Sequence, residues 1–339
     1  MKHIKVLGID LAKNVFQLHG TDAKGKCVLR KRLTRSKLIP FVANLPACTI
    51  GIEACGGAHY WGRVFKAHGH EVKMMSPQFV KPYVKSNKSD RNDSEAIAEA
   101  CTRPHMRFVP LKPTDQQDIL MIHRARELVI KQRTSQANQI RGLLNEYGVI
   151  IAKGIRQLTH LMRIIEDNAL KLTPIARELM MGLYEQFKLS DEQVSKYDKQ
   201  LKQLSRHHPV CQTIQAIPGV GPLIASAIVA TIGDAGAFKN GREVSAWLGL
   251  TPKQHSSGER IVLSGISKRG DRYMRKLLVQ GARTAVRVCD NKKDKINRWV
   301  TVRKQRGGFN KAAVALANKN ARVIWAMMHT GECYRHPTP

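Results

Sequence analysis

The chain has 339 residues, 42% of them hydrophobic, and carries 57 Lys and Arg against 26 Asp and Glu, a formal net charge of +31. That apolar content supplies cores for two or three domains and excludes disorder throughout, while so large a positive field is self-repulsive until a polyanion neutralises it, which makes nucleic acid the expected partner. Lys5 and Asp10 interrupt the first apolar run and Leu223 to Ile232 is too short to span a bilayer, so the expected location is cytoplasmic and nucleoid-associated, with no membrane role.

From the N-terminus, Ile4 to Asp10 reads as a strand, and Val15 to His19 and Lys26 to Leu33 flank a turn at Asp22-Ala23-Lys24-Gly25. Thr49 to Glu53 and Glu71 to Met75 are further strands separated by helical patterns. This order of strand, hairpin, helix, strand, helix, strand, helix fits a RuvC/ribonuclease H-like mixed sheet over residues 1–114. Residues 115–207 turn helical and polar. Val194, Tyr197, Leu201 and Leu204 form one heptad-like seam and Ile155, Leu158, Met162 and Ile165 another, predicting a helical hairpin or coiled coil that serves as brace or dimer contact. Residues 208–339 read as a mainly α-helical domain that opens on a helix-hairpin-helix-like turn, Ile217 to Pro222. From Lys239 onward 22 basic residues face 6 acidic ones. The fold class is therefore α/β plus all-α. Seven cysteines without a Cys-x-x-Cys pair argue against a disulfide framework or a zinc site.

In so basic a chain, carboxylates at the ends of apolar runs stand out. Asp10 ends IKVLGID and Glu53 ends TIGIE; Asp90 and Asp93, three apart at the start of a helical run, project from one helix face. A helix cap explains the second pair taken alone, but not the two strand ends. Together the four suit a divalent cation, Mg²⁺ or Mn²⁺, held against phosphate. In the glycine-rich turn, Gly219 and Gly221 are candidates for backbone contact with a phosphate, or simply a helix-entry turn. In TPKQHSSGER, Ser256 and Ser257 stand in a loop near Lys253, Arg260, Lys268, Arg269 and Arg272. Such a serine is either part of a turn or a nucleophile toward phosphorus whose developing charge these cations offset. His255 beside it is a potential proton acceptor. His207-His208 reads as solvated linker, and Trp247, Trp299 and Trp325 as core.

The ordered set GIDLAKNVF, IGIEACGG, NKSDRNDSEAIAE, IPGVGPLIAS, WLGLTPKQHSSG and GISKRGDRYMRKLL resembles, over essentially the whole chain, the DEDD-type insertion-sequence transposases, bridge-RNA-guided recombinases with a RuvC-like N-terminal domain. The resemblance implies that Asp10, Glu53, Asp90 and Asp93 form the metal site. It implies that Ser257, which directly precedes Gly258, becomes covalently joined to DNA; the doubled serine leaves Ser256 as the alternative. It further implies donor and target DNA and a structured guide RNA as partners, and a homo-oligomer, dimer or tetramer. Many members read Glu-Ala-Thr-Gly-x-Tyr where this chain reads Glu53-Ala54-Cys55-Gly56-Gly57-Ala58-His59-Tyr60. Two rivals remain on the residues alone: a hydrolytic RuvC-like nuclease or Holliday junction resolvase, and a non-enzymatic nucleic-acid-binding protein.

Overall fold

The computed structural model describes residues 4–85, 90–167, 172–258, 260–292 and 294–335; the side chains of Asp90 and Arg91 lie outside that description. The chain forms two compact units, Met1–Thr114 and Asp115–Pro339. The first contains β1 (Val6–Asp10), β2 (Val15–Thr21), β3 (Cys27–Thr34), α1 (Arg35–Ala43), β4 (Thr49–Glu53), α2 (Ala58–Ala67), β5 (Glu71–Met75), α3 (Pro77–Val80) and α4 (Asp90–Ala100). Its strands form a five-stranded mixed sheet of order β3-β2-β1-β4-β5 among the described residues. β1 pairs antiparallel with β2 and parallel with β4.

Alternation along the central strands decides what covers each face. Leu7, Ile9, Ile50 and Ile52 are fully buried and pack with Leu38 of α1 and Trp61 and Phe65 of α2. Each such side chain contributes roughly 1.5–3 kcal/mol by burial. The opposite face carries Gly8 and Gly51, paired in register, and α4 lies over them. The outer strand β3 exposes Arg30, Lys31 and Arg32, charges that keep a sheet edge from pairing with other chains.

The second unit opens on α5 (Thr114–Asn145), a 3₁₀ turn at Ile155–His160, α6 (Leu161–Glu166) and α7 (Pro174–His207). α5 and α7 are antiparallel: Arg126 pairs with Asp198 at 2.6 Å, Arg133 with Asp191, and Gln136 donates to Gln186 at 3.0 Å. Then follow α8 (Pro209–Ile214), α9 (Pro222–Ile232), α10 (Gly241–Trp247), β6 (Pro252–Ser257), β7 (Arg260–Ile266), α11 (Arg272–Arg287), α12 (Lys295–Gly307) and α13 (Phe309–Thr330). α9 is apolar nearly all round and correspondingly buried. Asp271 caps α11 by accepting from the Met274 amide at 2.9 Å, and Asp294 caps α12 in the same way.

Three expectations need correction. The regions split at 207/208 in the sequence reading make one compact unit, because His123 of α5 bonds to both Tyr273 of α11 and Ser226 of α9. Ile155, Leu158, Met162 and Ile165 do not form a heptad helix; they fall on the 3₁₀ turn and short α6, which close a small core at the end of the hairpin with Ile140, Leu144 and Met180. In the other seam Val194 and Leu201 are buried, but Leu204 is exposed. The segment around Ser256 and Ser257 is no loop but the first strand of the β6–β7 ribbon. Among the described residues no helix is long and apolar enough to cross a membrane.

The His123 junction also gives unit two a pH dependence. Ser226 donates its hydroxyl to the Pro222 carbonyl at 2.9 Å, so it accepts from His123 Nε2–H, and His123 Nδ1 accepts from the Tyr273 hydroxyl at 2.9 Å. The ring is neutral and both nitrogens are satisfied. Burial, then the nearby Arg126 charge, lowers its pKa from 6.5 to about 4. A histidine depressed on folding contributes stability that is fully present above pH 6.5 and lost as pH falls toward 4, on the order of 3 kcal/mol in all. Urea unfolding at pH 7 and pH 5 should show that loss, and His123→Asn should be less stable at pH 7 with a flatter pH dependence.

Candidate active site

Asp10 and Glu53 end neighbouring parallel strands, one position beyond the paired Ile9 and Ile52. By alternation Asp10 shares the face of Gly8, and Glu53 that of Gly51, so both carboxylates belong to the face that α4 covers. The approach of α4 is extreme. A β-carbon at position 8 would stand 2.3 Å from the Ser94 carbonyl oxygen and 2.6 Å from the Ala98 amide nitrogen, and one at position 51 would stand 3.0 Å from the Cys101 side chain. Ser94 thus rests on Gly8, and its chain neighbour Asp93 is partly buried in the first turn of α4.

Electrostatics agree that Asp10 and Glu53 lie close together. Desolvation, then the charges of Glu53 and Asp10, raise the Cys55 thiol above its usual range, so both carboxylates act on the same neighbourhood. The two other acids of α4 have different work. Glu95 pairs with Arg30 at 3.2 Å, and Glu99 with Lys85 at 3.0 Å and with Arg103, tying the helix to β3 and to the segment before it. Among the described residues no three His, Cys, Asp or Glu side chains form a group able to hold a metal ion; the Asp90 side chain lies outside them. Asp10 and Glu53, which strand register sets side by side, are carboxylates, the ligand type that a hard cation such as Mg²⁺ takes.

The second unit holds the serine and the cations. In the β6–β7 ribbon Ser256 stands opposite Ile261 and Ser257 opposite Arg260, and every β6 residue, including Lys253, is exposed. Gln254 donates to Ser256 Oγ at 2.9 Å. Lys268, Arg269 and Arg272 are exposed at the ribbon's base, on a tightly fixed backbone. Lys268 has φ 56°, the sole non-glycine in the left-handed region among the described residues. Arg275 locks this segment by donating to the carbonyls of Leu248 and Arg269 at 3.0 and 2.8 Å.

The glycine-rich turn divides. Gly219 has φ 84° and lies on Gly281 of α11, where a β-carbon would come within 2.6 Å of the Gly281 oxygen, so packing accounts for it. Gly221, at the N-cap of α9, faces open space. Sequence reasoning missed Arg275 and His123, whose roles arise from contacts distant in the chain. It also passed over His59, which accepts from the Lys112 amide at 3.2 Å and is held neutral, near pKa 4, by burial and by Lys112 and Arg63.

Residues 7–149 match the DEDD transposase model of the IS110 type, and residues 211–297 match the model described as "Transposase IS116/IS110/IS902 family". The chain is 46% identical to the transposase for insertion sequence element IS1111A of Coxiella burnetii, over 99% of this chain and 92% of that protein. It is 44% identical to a probable family 20 transposase of Pseudomonas aeruginosa (97% and 98% covered) and 37% identical to the transposase for IS1328 of Yersinia enterocolitica (98% and 99%).

The glycine contact yields a direct test. Gly8→Ala forces a β-carbon into backbone atoms that have no side-chain freedom to yield, so it should cost about 1–3 kcal/mol or more. Thermal unfolding of the isolated variant should report the loss.

Proposed function

The chain belongs to the IS116/IS110/IS902 transposase family, and we propose that it cuts and rejoins DNA at the ends of an insertion sequence through a phosphoserine link at Ser257. The observation that carries this reading is the pair of carboxylates, Asp10 and Glu53, side by side at the ends of parallel strands on the face covered by α4. On this reading the first unit is a RuvC/ribonuclease H-like domain, and Asp10, Glu53, Asp90 and Asp93 would hold Mg²⁺ or Mn²⁺, whose contribution when bound is Lewis-acid polarisation of a phosphate oxygen.

The rest of the chemistry falls to side chains. Ser257 rather than Ser256 is the nucleophile, because Ser257 is paired with Arg260 while Ser256 faces Ile261 and is engaged by Gln254. The Arg260 guanidinium, standing across the ribbon, offsets charge that builds on the phosphate as the Ser257 oxygen approaches. Lys253, Lys268, Arg269 and Arg272 bind backbone phosphates, and Gly221 offers an open backbone at a helix start.

A charge of +31 without a zinc finger or basic zipper suits a protein that grips phosphates and leaves sequence choice to base pairing by a structured guide RNA. Donor and target DNA, that RNA and a second or further copies of the chain are the partners, acting in the cytoplasm at the nucleoid. The α5–α7 hairpin is the proposed coiled-coil region through which copies associate.

Asp10→Asn, Glu53→Gln and Ser257→Ala should each abolish strand cleavage on a plasmid bearing the element while leaving DNA binding nearly intact. Protease digestion and mass spectrometry of a trapped reaction should find DNA on the peptide containing Ser257. A link at Ser256 would move the assignment by one residue, and cleavage without any protein–DNA link would favour hydrolysis. Binding should weaken linearly in log Kd against log salt as counterions are released; a flat dependence would contradict phosphate-dominated recognition.

A further inference from the structure

The register of the ribbon sorts its side chains by face. His255 stands opposite Val262 and Ser257 opposite Arg260, while Gln254 stands opposite Leu263 and Ser256 opposite Ile261. Because successive residues of a strand point to opposite faces, His255, Ser257, Arg260 and Val262 share one face and Gln254, Ser256, Ile261 and Leu263 the other. The Gln254–Ser256 hydrogen bond, which needs both on one face, agrees.

We infer that His255 accepts the proton of Ser257 as that serine attacks phosphorus. The inference rests on the reading of Ser257 as nucleophile and adds the base that reading lacks. A serine hydroxyl is a weak nucleophile until a base takes its proton. Among the described residues on its own face of the ribbon the other charged groups are Arg260 and Lys253, whose protonated side chains are donors only, whereas a neutral imidazole presents one acceptor nitrogen. Residues two apart on one strand lie about 7 Å apart along it, a gap the reach of an imidazole closes. His255 is exposed, and among the described residues no hydrogen bond or ion pair engages its ring.

In the step, a Ser257 oxygen lone pair forms the O–P bond and the hydroxyl proton passes to the His255 ring nitrogen. The bond from phosphorus to the departing deoxyribose oxygen breaks, its electron pair going to that oxygen, which takes a proton from the imidazolium or from water. Rejoining runs the same transfers in reverse, so no external energy source or co-reactant enters.

The test uses the full chain assembled on a supercoiled plasmid that carries the element and transcribes its RNA, with protein–DNA adduct formation as the readout. His255→Ala should slow adduct formation by about 10²- to 10⁴-fold with DNA binding and melting temperature unchanged. Added imidazole should restore much of the rate, and His255→Gln, which keeps hydrogen bonding but cannot take the proton, should stay slow. A wild-type rate in His255→Ala, full recovery in His255→Gln, or a loss that imidazole leaves untouched would overturn the role of His255. Absence of adduct in Ser257→Ala would, in each of those cases, leave the nucleophile standing, whereas an adduct formed by Ser257→Ala would remove the serine reading and the base with it.

Discussion

Helix α4 lies so close to strands β1 and β4 that backbone atoms of Ser94 and Ala98 occupy the space a β-carbon at position 8 would take. A glycine inside a strand costs roughly 0.5–1 kcal/mol of conformational freedom, and β1 and β4 each carry one, aligned across the pair. What offsets that cost is helix-to-sheet contact at backbone distance, with Ala96, Ile97, Ala100 and Cys101 fully buried against Met75 and Val80. Strand register sets Asp10 and Glu53 side by side on the same face, at the ends of neighbouring parallel strands.

The second unit solves the opposite problem, holding an exposed element still. A two-stranded ribbon alone is marginal in water, and this one buries nothing of its own on β6. Its root is therefore where the structure is tight. Ser267 donates to the Thr251 carbonyl and Lys268 to that of Gly249, while Gly249 and Gly270 sit against the backbone of Arg269 and Trp247 at distances that exclude any side chain. α13 supports the same turn through Asn318, whose amide donates to the Leu250 carbonyl at 3.1 Å. The left-handed Lys268, a conformation that costs of order 1 kcal/mol, is affordable only on such a base.

Much of the first unit was legible because its signals are local. Thr49–Glu53 and Glu71–Met75 are the strands the apolar runs predicted, to the residue, and the first strand differs only in starting at Val6 rather than Ile4. Asp10 and Glu53 were readable as strand ends. What the glycines between them did was not, since a close approach is a property of two segments some forty to ninety residues apart. The ribbon was misread for a physical reason: a strand exposed on both faces has no buried side to impose alternation, and PKQHSS looks like a loop. The Ile155 to Ile165 spacing misled because a 3₁₀ turn running into a short helix also brings apolar residues to one side every three or four positions. The packing of Gly219 on Gly281 was not legible, because glycines that meet a phosphate and glycines that meet another glycine look alike in sequence.

The α5–α7 hairpin is held at one end by the apolar core around Ile140, Leu158 and Met180 and at the other by the hydrogen bonds of His123 to Tyr273 and Ser226 of the helical core. Between them the pairing rests on Phe187, Val194 and Leu201 and on exposed ion pairs such as Arg126–Asp198, each repeating at heptad-like intervals. With helices of 32 and 34 residues the arm is about 50 Å long at 1.5 Å per residue. Because neither end depends on the number of turns in the middle, matched insertions or deletions of seven residues in both helices leave both cores intact. Arm length is thus an adjustable dimension of this architecture, one that can be changed without renegotiating the fold at either end.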